Sequence, residues 1–122
     1  MKESGSVVIT LALLAGAVGA GCANVPIIRL FEGAEVVEVL PGEAVPPRCE
    51  TLRPVAVAHG SGCGGFGHKG DFPNAYNAFR NAVYSAGGNA GVILERSGPR
   101  PTPGCYVNEY RIEGLALDCP ER

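Results

Sequence analysis

P-N-A-Y-N-A-F-R-N-A-V-Y-S-A-G-G, residues 73–88, is the stretch on which the fold turns. Ala75, Phe79, Ala82, Val83 and Ala86 recur at helical spacing and make one apolar stripe. Pro73 suits a first helical turn, where a missing N–H costs nothing, and Asp71 or Phe72 precedes it at the helix start. Gly87-Gly88 is the usual way for a helix to end. The spacing predicts one amphipathic helix with Phe79 at the centre of its buried face.

Outward from the helix, the ordered-looking segments are β-prone. Before it come Val25-Pro26-Ile27-Ile28-Arg29-Leu30-Phe31, then Val36 to Leu40 stopped by Pro41-Gly42. Pro46-Pro47 is a stiff connector into Cys49. Leu52 to Ala58 is a further strand candidate, and Pro54 places its start at an edge or an irregularity. After the helix come Ala90 to Leu94, short and apolar enough to be central, and a Pro/Gly loop from Ser97 to Gly104. Cys105 to Leu117 is the last long strand candidate, carrying Tyr106, Tyr110 and Ile112, with a bulge or kink expected at Gly114. Strands, one helix, then strands predict an α+β domain: a small, mainly antiparallel sheet with one helix packed on one face.

The N-terminus has a different character. A polar start with Lys2 leads into an apolar run, Val7 to Val18, and then Gly19, Ala20, Gly21 and Cys22. This is the layout of a secretory signal peptide with a small-residue cleavage site. With its cysteine just after that site, it resembles the bacterial lipobox. The resemblance implies that Cys22 becomes the lipidated first residue of the mature protein. It departs from the pattern at Gly19, where an apolar residue such as Leu is usual, and Glu3 nearly cancels Lys2. An ordinary signal peptide is the plain alternative. A membrane span fits less well, because Gly16, Gly19 and Gly21 interrupt a run already short of about 20 residues. Residues 1–21 are thus read as signal peptide, 22–24 as a short lipid tether and 25–122 as a single domain.

Removing 21 of the 122 residues leaves 101, enough for one small domain. The formal net charge is −2 and no basic stripe is present, so nucleic acid is not an expected partner. Eighteen glycines and ten prolines point to a loop-rich domain with a thin core, a kind that often needs covalent staples. Cys49, Cys63, Cys105 and Cys119 supply an even set of four, read in an exported domain as two disulfides. Zinc is the weaker reading, since no pair is spaced as C-x-x-C. Cys49 and Cys63 lie 14 positions apart, as do Cys105 and Cys119. On antiparallel strands one register would align 49 with 119 and 63 with 105, because both pairs of numbers sum to 168. A parallel pairing of 49 with 105 and 63 with 119 satisfies the same spacing.

V-A-V-A-H-G-S-G-C ending at Cys63, A-x-x-x-F-R-N-A from Ala75, G-G-N-A-G-V-I-L from Gly87 and G-C-Y-V-N-E-Y-R-I-E-G-L-A-L from Gly104 carry a family resemblance. From Val25 to Leu117 the chain resembles the small outer-membrane lipoprotein domain of the Rcs envelope-stress sensors (RcsF-like). The resemblance implies a bridge between Cys63 and Cys105, which leaves Cys49 with Cys119. It also implies a bacterial envelope location, with outer-membrane residence favoured by Ala23 after the cysteine. Two departures stand out. The sensor's second bridge uses positions near Leu94 and Arg111, where this chain has no cysteine. The sensor also has a long proline-rich linker after its lipid. Here Ala23 and Asn24 alone separate Cys22 from strand-like sequence, a reach of under about 15 Å. The fold transfers better than the signalling role.

Other constellations are weaker. His59, Cys63 and His68 share a glycine-rich loop, His59 to Gly70, and could in principle hold a metal or form a Cys/His nucleophile. The simpler expectation is a solvated loop with two exposed histidines and a bridged Cys63. Lys69 is followed by Gly70 and no Ser or Thr, so the glycines are not a phosphate loop. Glu32, Glu35, Glu38 and Glu43 read as a solvated face. Tyr76 and Tyr84 read as core or core-edge packing. The function expected is a non-catalytic envelope lipoprotein, with no cofactor, that meets the bilayer through Cys22 and an envelope protein through its domain. A metal-binding or redox domain using His59, Cys63 and His68 is the alternative.

Overall fold

Asp71 opens the helix by accepting a hydrogen bond from the Asn74 N–H at 2.9 Å, a side-chain cap for a backbone donor with no partner inside the helix. In the computed structural model, which describes residues 25–42 and 44–120, helix α1 spans Phe72–Ser85. It ends in a Schellman turn: Gly88 N–H reaches the Val83 carbonyl and Gly87 N–H the Tyr84 carbonyl, with Gly87 at φ +86°. Residues 1–24, where the sequence leads one to expect a signal peptide and a short lipid tether beginning at Cys22, lie outside the described residues, as does Glu43.

The strands are β1 (Glu38–Leu40), β2 (Glu50–His59), β3 (Ala90–Ser97), β4 (Arg100–Thr102), β5 (Cys105–Val107) and β6 (Tyr110–Asp118). Four form one sheet in the order β1-β3-β6-β2, and β4 pairs with β5 in a second, two-stranded antiparallel sheet. β6 is antiparallel to both neighbours, while β1 joins β3 in parallel. The fold is α+β, with the helix on one face of the larger sheet. β3 is central, as its apolar run predicts, and Pro54 lies in the edge strand β2, where a missing N–H does no harm. The long strand expected over Cys105 to Leu117 is two strands, β5 and β6, parted at Asn108 and Glu109.

Both disulfides form as the family resemblance implies, Cys49–Cys119 and Cys63–Cys105, at sequence separations of 70 and 42. The equal-sum register holds at one end only. Glu50 pairs with Asp118 and Thr51 with Leu117, but Leu52 is an extra residue, and from Arg53 opposite Ala116 the register is displaced by one. Farther along, Cys63 lies opposite Val107. Cys105 is therefore a diagonal neighbour of Cys63, with their Cα atoms 5.3 Å apart. A second irregularity falls at Leu94 in β3, between Ile93 opposite Gly114 and Glu95 opposite Glu113. The kink expected at Gly114 thus sits on the strand beside it.

Gly114 has another purpose. Phe79 is fully buried, and its ring lies where Cβ atoms on Gly91 and Gly114 would be, 2.8 Å and 3.0 Å from ring carbons. Around it pack Val37, Val55, Ala75, Val83, Ile112 and Ala116. Side chains alternate across a strand, so Ala90, Val92 and Leu117 face the other way. With Leu40 and the Cys49–Cys119 bridge they form a second, smaller core on the face away from the helix.

Phe79→Ala should cost about 3–5 kcal/mol, as expected for emptying a packed aromatic site. Gly114→Ala should be similarly damaging, because its Cβ would lie 2.1 Å from the Val92 carbonyl oxygen in the neighbouring strand. Denaturant unfolding measures both; a Phe79→Ala loss under about 1 kcal/mol would mean that another residue centres this core.

Candidate functional site

The β-prone residues 25–31 do not join a sheet. They run beside α1 as a strap, and helix side chains take the place of a partner strand. Asn74 Oδ1 accepts from Ile28 N–H at 2.6 Å, and Asn81 Oδ1 from Phe31 N–H at 2.8 Å. Asn77 donates to the Ile28 carbonyl and Asn81 to the Arg29 carbonyl, at 2.9 and 2.8 Å. Residues 74, 77 and 81 fall on one flank of a helix, apart from the Ala75–Phe79–Val83 stripe. An amide side chain carries both donor and acceptor, so Asn81 can hold two backbone groups of an extended segment as a strand would. Arg80 performs the matching task after the strap. It donates to the carbonyls of Glu35 and Val37 and fixes the 3-10 turn Ala34–Val36 that leads into β1.

His59 anchors the start of the strap. It is only 4% exposed, which corrects the expectation of an exposed histidine. Asp71 N–H donates to its Nδ1 at 3.0 Å, so Nε2 carries the proton and donates to the Pro26 carbonyl at 2.7 Å. One imidazole thereby joins β2, the helix cap and the strap.

The glycine-rich loop is tied down from inside. Asn108 is buried and shares its side-chain N–H groups among the carbonyls of Ser61, Gly64 and Phe66. Its backbone N–H reaches the Gly62 carbonyl, and its carbonyl accepts from Gly70. Ser61 and His68 exchange backbone hydrogen bonds of 2.7 and 2.9 Å. A Cβ on Gly60 would lie 2.2 Å from the Asn108 carbonyl oxygen, so the approach requires glycine. The result is a fixed loop that presents Phe66, 83% exposed, with His68 and Lys69 also exposed. Nearby, Tyr106 and Tyr110 line a cavity of about 370 Å³ with Lys69, Pro99 and Asn108.

His59, Cys63 and His68 are not brought together as ligands. Both ring nitrogens of His59 are engaged, the Cys63 sulfur is in a disulfide, and His68 is exposed on the loop. Among the described residues there is no group of three His, Cys, Asp or Glu side chains arranged to hold a metal ion. Glu32, Glu35 and Glu38 are exposed. Tyr76 packs at the core edge, where Arg96 donates to its hydroxyl, while Tyr84 is half-exposed beside Gly33. The asparagines that hold the strap and the loop are what the sequence conceals, Asn74, Asn81 and Asn108 being buried and Asn77 partly so. Asn74, Asn77 and Asn81 have the pattern of a helix's polar face, and Asn108 lies inside an apparent strand.

Among the described residues no helix is long and apolar enough to cross a membrane. No family model, curated protein or solved structure matches this chain.

Asn81→Ala removes two strap hydrogen bonds and should cost about 1–2 kcal/mol, and His59→Ala, which also empties a buried site, about 2–3 kcal/mol. Hydrogen exchange should show Ile28 and Phe31 amides losing protection in both variants, with the β3–β6 amides unchanged. Equal loss in strap and sheet would show that the strap has no separate attachment.

Proposed function

We propose that this chain is a non-catalytic lipoprotein of the bacterial envelope, its domain a disulfide-stapled interaction module. The observation that carries the proposal is the pair of bridges. Each joins residues far apart in sequence, and in the chain-entropy picture each loop closure contributes on the order of 4 kcal/mol. A small domain that depends on such staples belongs in an oxidising compartment. The apolar run Val7–Val18 with the small residues before Cys22 supplies the route there, and the lipobox-like cysteine supplies the anchor. Ala23 favours the outer membrane, facing the periplasm.

The likeness to the Rcs stress-sensor lipoproteins supports the same reading and adds envelope-stress sensing or maintenance as its context. The loop held by Asn108 is the surface we assign to an envelope protein partner. Phe66 and Tyr106 stand exposed on a backbone that is already ordered, so little conformational freedom is lost when they dock. For the metal or redox alternative, His59 and Cys63 would first have to give up the contacts that hold the strap and the loop.

Cys22→Ser should move the protein out of the membrane fraction or leave it unprocessed, while the other four cysteines stay oxidised and resist alkylation without reductant. A wild-type protein found in the soluble fraction with an unmodified N-terminus would overturn the proposal, as would free thiols at Cys63 and Cys105.

A further inference from the structure

The strap exposes apolar side chains next to the anchor. Ile27 is 69% exposed and Phe31 52%, with Val25 also open to solvent. In an extended segment, residues 25, 27, 29 and 31 share one side, and Arg29 completes that row. Tyr84 adds to the same region, since its hydroxyl lies against Gly33 just after the strap. Val25, Ile27, Phe31 and Tyr84 are four of the nine large hydrophobic residues exposed among the described residues. Single exposed apolar side chains are ordinary, but a group of them on one short segment marks a contact surface. The asparagine and His59 bonds hold the strap in place, so the row is displayed on ordered backbone.

The chain itself names the occupant. Three peptide units connect Val25 to Cys22, a reach of about 11 Å at full extension. If Cys22 carries lipid, the bilayer surface lies within that distance of Val25. A long linker would let the domain drift away; three peptide units keep it close. We propose that the strap is a membrane-seating surface: Val25, Ile27 and Phe31 enter the headgroup region of the bilayer that holds Cys22, with Arg29 among anionic headgroups. This rests on the lipidation proposed above. It goes further by fixing orientation, because the strap and α1 then face the membrane.

The chain has no tryptophan, so one introduced indole reports alone. Phe31→Trp places it on the strap, at an exposed site. Ala56→Trp places it on the exposed sheet face away from the helix, since Val55 and Val57 point into the helix-side core. Both variants, purified as the full mature chain from membranes, are reconstituted into phosphatidylethanolamine–phosphatidylglycerol vesicles with or without brominated acyl chains. Flotation reads whether the protein is anchored, and fluorescence reads where the indole sits. Both variants should float. Emission from the Phe31→Trp variant should be blue-shifted and lose most of its intensity to brominated lipid, while the indole of the Ala56→Trp variant stays accessible to aqueous iodide. Flotation with the strap indole as solvent-exposed as the sheet indole would overturn the seating and leave the anchor standing. Failure to float would overturn the lipidation and the seating with it. Ile27→Ser with Phe31→Ser should keep the protein in the floating fraction yet allow a protease to cut between Val25 and Phe31; unchanged cleavage would also contradict the seating.

Discussion

Phe79 rests on two glycines, Gly91 of β3 and Gly114 of β6, and this contact sets how closely the helix approaches the sheet. A side chain at either glycine would meet the ring or the neighbouring strand, so α1 could not settle at its present depth. Much else follows from that placement. Ala75 and Val83 close over Val55, Ile112 and Ala116, and the flank bearing Asn74, Asn77 and Asn81 is set where the strap passes. The two bridges add to this packing by restricting the unfolded chain.

Amides from side chains take over what strand pairing does elsewhere. Asn74 and Asn81 hold the strap, Asn108 holds the glycine-rich loop, and Asn89 exchanges two hydrogen bonds with the backbone of Cys119 beside the outer bridge. Among the described residues, every buried side-chain nitrogen and oxygen has a partner. Buried polar groups of this sort are costly when unmatched and specific when matched. They let a domain rich in glycine and proline hold irregular segments in one arrangement.

The helix is legible in the sequence because its stripe repeats at the helical period, and the central strand because its apolar run is short and flanked by turns. The strap has the sequence of a strand for a good physical reason: Val, Ile and Phe favour extended backbone wherever it finds its hydrogen bonds. Propensity does not say whether the partner is a strand or a row of asparagines. The extra residues at Leu52 and Leu94 leave no mark either, since alternation is too weak over so few residues to show a slip of one. Cysteine spacing narrows the cross-strand pairing to two choices without selecting one, and the family resemblance selects the one found. Buried His59 gives no apolar signal, so its role emerges only from its contacts. For Cys22 the sequence remains the source, because it lies outside the described residues.

The proposed function makes a demand on each half of the chain, a lipid on Cys22 and two closed bridges in the domain. The intact mass of the protein extracted from envelopes without reductant tests both halves at once. The expected mass begins at Cys22, carries a lipid increment on that residue and lacks the four hydrogens removed by Cys49–Cys119 and Cys63–Cys105. A mass that begins elsewhere without lipid, or that retains those hydrogens, would contradict it.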